Sequence, residues 1–312
     1  MSRHRILQLC PLSPVLDRSL SECFEVQAWW TQDDPAAFLV AAGAGIGGIA
    51  TSAQLGVPGA VLDALPDLKV ISSRGVGMDK IDLDSARARG IAVAGSFGTL
   101  DDCVADLAMS LVLDVMRQVS AADRYVRAGR WTQARFPLTT RVSGKRLGLV
   151  GLGQIGQVIA RRAGGFDMEI RYHSRRPVAD CAFMHEPDLQ ALARWCDVLV
   201  VAVSGGAGTR GLISAEVLEA LGPQGYLVNI ARGSVIDETA LVSALVERRI
   251  AGAGLDVFAD EPNVPQALLS LDNVVLAPHM GSGTHETRKA MEDLVLANLQ
   301  HFFEAGTVLT PA

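Results

Sequence analysis

Short apolar runs recur along the whole chain, separated by longer stretches whose apolar positions repeat at helical spacing. A brief run of aliphatic residues between turn signals reads as a buried strand, and a longer 3.6-residue repeat reads as a helix. On that basis strands are predicted at residues 5–9, 38–42, 69–73 and 92–94. A long amphipathic helix follows at 102–121. A second strand series is predicted at 146–150, 169–172, 198–203, 226–229, 252–255 and 274–276, and a final helix at 285–304. Residues 130–143 have weak periodicity and read as a connecting loop. Strand and helix in alternation predict an α/β fold with parallel sheets.

The most specific local feature sits mid-chain. The strand at 146–150 runs into Gly151-Leu152-Gly153-Gln154-Ile155-Gly156 and then into a helix toward Arg162. Strand, Gly-x-Gly-x-x-Gly and helix in that order form the dinucleotide-binding fingerprint. The first glycine permits a tight turn, the second lets backbone approach a pyrophosphate, and the third lets helix pack on strand. The helix N-terminus offers free N–H groups and a positive dipole end to the phosphates. A second run, Gly43-Ala44-Gly45-Ile46-Gly47-Gly48, fits the same pattern. The helix it should open is interrupted by Gly56, Pro58 and Gly59, so it reads as a flexible loop at a strand end.

Composition narrows the class. A chain of 312 residues is long enough for two domains with their own cores. Apolar content of 49% with only 5% aromatics suits buried parallel strands. The net charge of −6 argues against nucleic acid or an anionic membrane as partner. No apolar run approaches the roughly 18 residues of a membrane span. No signal peptide is expected after Arg3 and Arg5, because the apolar run is short and Pro11 follows. Cys10, Cys23, Cys103, Cys181 and Cys196 are scattered without metal spacing, as reduced thiols of a cytoplasmic protein would be.

Such fingerprints usually carry an acid about 20 residues on, bonding the ribose 2′-hydroxyl. Here the second strand ends in Tyr172-His173-Ser174-Arg175-Arg176-Pro177. A hydroxyl and two guanidinium groups stand in its place, and arginine suits a phosphate through bidentate bonds. NADP(H) is therefore expected as the preferred cofactor, with NAD(H) also possible. Three later segments carry candidate chemistry: Asn229-Ile230-Ala231-Arg232-Gly233, Asp256-Val257-Phe258-Ala259-Asp260-Glu261-Pro262 and Pro278-His279-Met280-Gly281. Each follows a predicted strand, where ligands of open α/β sheets bind. A cation, a carboxylate and an imidazole could meet there.

These words resemble those of the D-isomer-specific 2-hydroxyacid dehydrogenases over nearly the whole chain. Within that family the chain is most similar to the NADPH-dependent glyoxylate/hydroxypyruvate and hydroxyphenylpyruvate reductases, through Ser174-Arg175, Gly254-Leu-Asp-Val-Phe258 and His279-Met-Gly-Ser-Gly-Thr284 with Glu286-Thr-Arg288. The resemblance implies two Rossmann-like domains, a nucleotide-binding domain at 99–284 inserted into a flavodoxin-like substrate domain at 1–98 and 285–312. It implies that Arg232 binds the substrate carboxylate and polarises the keto oxygen. His279 would be the acid/base and Glu261 the carboxylate that orients the imidazole. Val76 and Gly77 would hold the substrate carboxylate through their N–H groups. Asp256 would meet the nicotinamide carboxamide. Gln154, Ile155, Val203, Thr209 and Ile230 would line the cofactor beside the glycines.

Three words depart from the family pattern. Gly95-Ser96-Phe97 replaces Asn-Thr-Pro, Asp101 replaces a frequent threonine, and Ser204-Gly205-Gly206 replaces Pro-Leu-Thr. The implied reaction is reduction of small 2-keto acids to D-2-hydroxy acids, by a homodimer. A cofactor-sensing regulator is the alternative from another class, since fold alone does not decide function. Arg232, Glu261 and His279 together favour the enzyme. A phosphoglycerate dehydrogenase is the weaker enzymatic alternative, because the chain leaves no room for appended regulatory domains. A formate dehydrogenase would carry Gln in place of Glu261.

Overall fold

The computed structural model describes residues 3–312. It forms two compact units, one running to Leu100 and resuming at Thr284–Ala312, the other Asp101–Gly283. Each is an α/β layer structure built on a parallel sheet.

In the first unit, strands β1 (Arg5–Gln8), β2 (Glu25–Ala28), β3 (Ile46–Ser52), β4 (Val70–Arg74) and β5 (Ala92–Ala94) pair in the order β2-β1-β3-β4-β5. This is the flavodoxin-like order. Alternation along the strands serves both faces. Leu7, Ile49 and Ile71 pack with Val61, Leu62 and Leu65 on one side. Ile6, Ala50 and Val70 pack with Leu16, Leu20, Val295 and Leu299 on the other.

Two local expectations fail here, and one strand was not foreseen. Residues 38–42 are not a strand but lie in the helix Pro35–Ala42. Asp34 accepts from the N–H groups of Ala36 and Ala37, and Pro35 occupies the first turn, a start signal that outweighs the apolar run. The glycine-rich run is no flexible loop either. Gly43–Gly45 make the turn, and Ile46, Gly47 and Gly48 open the central strand β3. A Cβ on Gly48 would sit 3.1 Å from Ile6 and 3.3 Å from Phe303, so bare backbone lets those side chains lie close over the strand. Strand β2 is short and partly exposed, with too few apolar residues to stand out in the pattern.

In the second unit, strands β6 (Arg146–Val150), β7 (Glu169–His173), β8 (Met184–His185), β9 (Val198–Val201), β10 (Tyr226–Asn229), β11 (Gly252–Leu255) and β12 (Val274–Leu276) pair in the order β12-β11-β10-β9-β6-β7-β8. The strand order reverses between β6 and β9, the crevice where doubly wound sheets bind ligands. All four residues of β9 are fully buried. The expected single helix at 102–121 is two, Asp101–Arg117 and Val119–Arg127, broken at Gln118 with φ +54°. The Asp114 carboxylate accepts from Ser120 N–H at 2.8 Å and so starts the second helix. The first helix lies close on β11 because Gly252 and Gly254 leave room for Val115 and Leu111.

Candidate active site

The fingerprint turn falls at the switch point. Gly151 has φ +98°, and a Cβ there would meet the Ala202 carbonyl at 2.8 Å. A Cβ on Gly156 would lie 2.4 Å from the Gly151 carbonyl, so the helix Gln154–Gly164 can approach the turn only without one. Gly153 differs from both. It is exposed, no atom lies within 4 Å of its Cβ direction, and it heads the helix without a side-chain cap. The N–H groups of Gln154, Ile155 and Gly156 belong to the turn that has no intrahelical acceptors. Open backbone at Gly153 and uncapped donors behind it fit a pyrophosphate. Val203 is half-buried after β9, and Ile230 is buried after β10. The Thr209 hydroxyl donates to the Ser204 carbonyl at 2.8 Å and closes that loop.

The end of β7 is a built turn. His173 Nδ1 lies 3.0 Å from the Glu186 carbonyl, and His185 Nε2 lies 2.9 Å from the Ser174 carbonyl. Ser174 Oγ donates to the Arg176 carbonyl at 2.6 Å. Arg175 and Arg176 are exposed, and neither makes an ion pair or side-chain hydrogen bond among the described residues. Glu169, the nearest acid on this strand, is at its opposite end beside Arg171, at 3.6 Å.

The candidate catalytic groups come from three adjacent strand ends. Arg232 follows β10 and is half-buried, with Nη1 donating to the Ala231 carbonyl at 2.7 Å. Gly233 beside it has no room for any side chain, since a Cβ would fall 1.9 Å from the Phe258 carbonyl carbon. Phe258 N–H donates to Glu261 Oε1 at 3.1 Å, and Glu261 Oε2 lies 2.6 Å from His279 Nδ1. The carboxylate is thus held by backbone on one oxygen and by the imidazole on the other. That bond fixes Nδ1 as the ring's inner nitrogen and leaves Nε2 outward for chemistry.

His279 has φ +52°, the left-handed region a non-glycine residue rarely adopts. Asp256 holds it there. The Asp256 carbonyl accepts from His279 N–H at 2.8 Å, and its carboxylate oxygens accept from Met280 and Gly281 N–H at 2.7 and 2.9 Å. Three successive donors converge on one residue that is 2% exposed. Burial pushes the Asp256 carboxyl above its ordinary value, and the two N–H bonds oppose that rise. This clamp was not legible in the sequence. The only hint was an aspartate at the end of an otherwise apolar strand.

In the first unit, Val76 and Gly77 follow the last paired residue of β4 and are half-buried. Gly75 before them has φ +129°, and Ser96 ties the loop by accepting from Gly75 N–H at 3.2 Å and donating its own N–H to the Gly75 carbonyl at 2.8 Å.

Comparison with known proteins decides the family. Residues 109–281 match the description "D-isomer specific 2-hydroxyacid dehydrogenase, NAD binding domain". The chain is 48% identical to a 2-ketogluconate reductase of Gluconobacter oxydans, covering 99% of each chain. It is 45% identical to a hydroxyphenylpyruvate reductase of Plectranthus scutellarioides, covering 98% of each. The chain belongs to the D-isomer-specific 2-hydroxyacid dehydrogenase family. It is therefore an oxidoreductase of that family. Among solved structures, an NADPH-dependent glyoxylate/hydroxypyruvate reductase of Sinorhizobium meliloti, in complex with NADP and malonate, superposes with a TM-score of 0.94 at 44% identity, over 100% of this chain and 97% of that one. No helix among the described residues is long and apolar enough to cross a membrane.

Proposed function

We propose that this dehydrogenase reduces small 2-keto acids, glyoxylate and hydroxypyruvate foremost, to D-2-hydroxy acids with NADPH. The single observation that carries the reading is the 2.6 Å bond between His279 Nδ1 and Glu261 Oε2, one strand end away from Arg232. The nicotinamide cofactor, when bound, supplies the hydride. Gly151, Gly153, Gln154, Ile155 and Gly156 would hold its pyrophosphate, with Val203, Thr209, Ile230 and Asp256 along its length. Arg232 binds the substrate carboxylate in the second unit, and Val76 and Gly77 are the first unit's own candidates for holding a carboxylate through their N–H groups. As negative charge grows on the keto oxygen, the Arg232 guanidinium and the proton on His279 Nε2 stabilise it, and the proton passes to that oxygen. Glu261 keeps the ring in the orientation this needs.

NADPH preference rests on Ser174, Arg175 and Arg176. The two guanidinium groups are exposed and have no acidic partner among the described residues, as suits a 2′-phosphate site. A homodimer is supported by the helix Val119–Arg127 and the segment 130–143. That helix buries none of its residues, and Trp131 and Leu138 are 66% and 101% exposed. Phe136 is half-buried and packs edge-on against Tyr125 at 5.3 Å, so it offers less of that surface than Trp131 and Leu138 do. A cytoplasmic location, where its five free cysteines stay reduced, belongs to the same reading.

The test is a kinetic panel of glyoxylate, hydroxypyruvate, phenylpyruvate and 2-ketogluconate with NADPH and with NADH. The expected result is highest kcat/KM for a small keto acid with NADPH. No turnover of any keto acid with either cofactor would defeat the reading, and equal use of NADH would defeat the assignment of Arg175 and Arg176.

A further inference from the structure

Behind Arg232 stands a buried polar side chain to which neither substrate nor cofactor has been assigned. Asn229 is the last residue of β10 and is 1% exposed. Its Oδ1 accepts from Ala231 N–H at 3.0 Å, and its Nδ2 donates to the Arg232 carbonyl at 3.0 Å. Its own carbonyl accepts from Asp256 N–H at 3.0 Å. One amide side chain closes the turn that carries Arg232, and its main chain ties that turn to the end of β11.

The acceptor half is an Asx turn, a common way for asparagine to bend its own backbone. The donor half is specific to this place, because it grips the carbonyl of the arginine itself. On the other side of Arg232, Gly233 is wedged against Phe258 and Ala259 with no space for a Cβ. The guanidinium is also referred to this turn, since Arg232 Nη1 donates to the Ala231 carbonyl at 2.7 Å. The Arg232 carbonyl also accepts from Val235 N–H at 3.2 Å, so the Asn229 amide is one of two donors that hold the turn from which the arginine side chain is directed. An apolar residue of similar size would fill the space but leave the Ala231 N–H and the Arg232 carbonyl without these bonds, and the turn would relax.

We propose that Asn229 is a positioning residue for the reaction, acting through Arg232 by fixing the turn that aims its guanidinium. The inference rests on the reading of Arg232 as the group that binds the substrate carboxylate and the keto oxygen.

The test is a double-mutant cycle of Asn229→Ala and Arg232→Ala in the full-length protein. It reads kcat and KM for hydroxypyruvate, the Kd for NADPH and the Tm. Asn229→Ala should lower kcat/KM by about 10- to 100-fold, the scale of a misplaced binding group. KM for the keto acid should rise, while NADPH affinity stays as it was. In the Arg232→Ala background the same substitution should cost almost nothing further, because there is no guanidinium left to aim. Asn229→Asp is the near-isosteric control should the alanine variant fail to fold. It keeps an acceptor for Ala231 N–H but sets a carboxylate oxygen against the Arg232 carbonyl. Its activity relative to the unaltered enzyme should be low at neutral pH and recover on acidification, when a protonated carboxyl can donate again.

Losses that multiply across the cycle would make Asn229 a general structural residue and overturn the inference, as would an Asn229→Asp protein with full activity at neutral pH. An impaired Arg232→Ala protein beside an unimpaired Asn229→Ala protein would overturn this inference alone. Undiminished kcat/KM in Arg232→Ala would overturn the reading of Arg232 and this inference with it.

Discussion

At the scale of single residues, the site depends on groups that hold other groups. His279 has a left-handed backbone where Asp256 gathers the N–H groups of residues 279, 280 and 281. Asp256→Asn should expose that dependence. The amide offers one oxygen where the carboxylate offers two, and its NH₂ must face a backbone N–H. Leaving one buried donor unsatisfied costs about 1–3 kcal/mol. The expected outcome is a lower Tm together with a lower kcat, measured by thermal melts and by turnover at saturating cofactor and substrate. A variant with unchanged Tm and kcat would mean that the loop at 279–281 holds its shape without the clamp. Such dependencies are hard to read in a sequence. Glu261 and His279 announce their chemistry by residue type, whereas Asp256 and Asn229 act through hydrogen bonds to backbone that only the fold brings near.

At the scale of elements, the second sheet is registered at its N-terminal edge by a polar clasp. Arg146 opens β6, and Asp197 immediately precedes β9. Asp197 Oδ2 accepts from Arg146 N–H at 2.8 Å, its Oδ1 pairs with Arg146 Nη2 at 3.2 Å, and Asp197 N–H donates to the Arg146 carbonyl at 2.9 Å. Burial alone would raise the Asp197 carboxyl, but the Arg146 side-chain and backbone bonds outweigh it and hold the group below its ordinary value. A carboxylate depressed in the folded state adds stability above its unfolded-state value and loses it as pH falls through the folded one. Asp197→Asn should therefore lower the Tm at neutral pH and narrow the gap from the unaltered protein as the solution is acidified below the ordinary carboxylate range. Parallel melting curves across pH would check this, and a constant gap at every pH would contradict it.

Elements with strong local signals were legible. The strand–glycine–helix fingerprint at β6 and the apolar run of β9 declare themselves because their chemistry is local. The helix Pro35–Ala42 and strand β3 were not. An apolar Phe-Leu-Val-Ala stretch suits either element, and the glycines that let Ile6 and Phe303 lie over β3 mimic a loop. The break at Gln118 was hidden as well, since the apolar repeat continues across it while a side-chain cap from Asp114 restarts the helix.

At the scale of the whole molecule, a net charge of −6 is unevenly spread. Arg117, Arg124, Arg127, Arg130, Arg135 and Arg141 cluster along the uncovered helix Val119–Arg127 and its flanks, on the same stretch as exposed Trp131 and Leu138. The exposed apolar side chains on this stretch suit a second copy of the chain. Sedimentation at micromolar protein should give a dimer, and a Trp131→Glu, Leu138→Glu protein should shift toward monomer. A monomeric unaltered protein would contradict the proposed homodimer.

The central claim is that His279, oriented by Glu261, supplies the proton when a keto acid is reduced. The most direct measurement is the pH dependence of kcat/KM in both directions, for the unaltered enzyme and for His279→Ala. Reduction needs the protonated imidazole and alcohol oxidation the neutral one, so the first should fall and the second rise as pH increases. In His279→Ala both limbs should vanish, and turnover should drop by about 100- to 10,000-fold with NADPH affinity retained. Near-normal turnover in His279→Ala with the same two limbs would contradict the account and assign the proton to another residue.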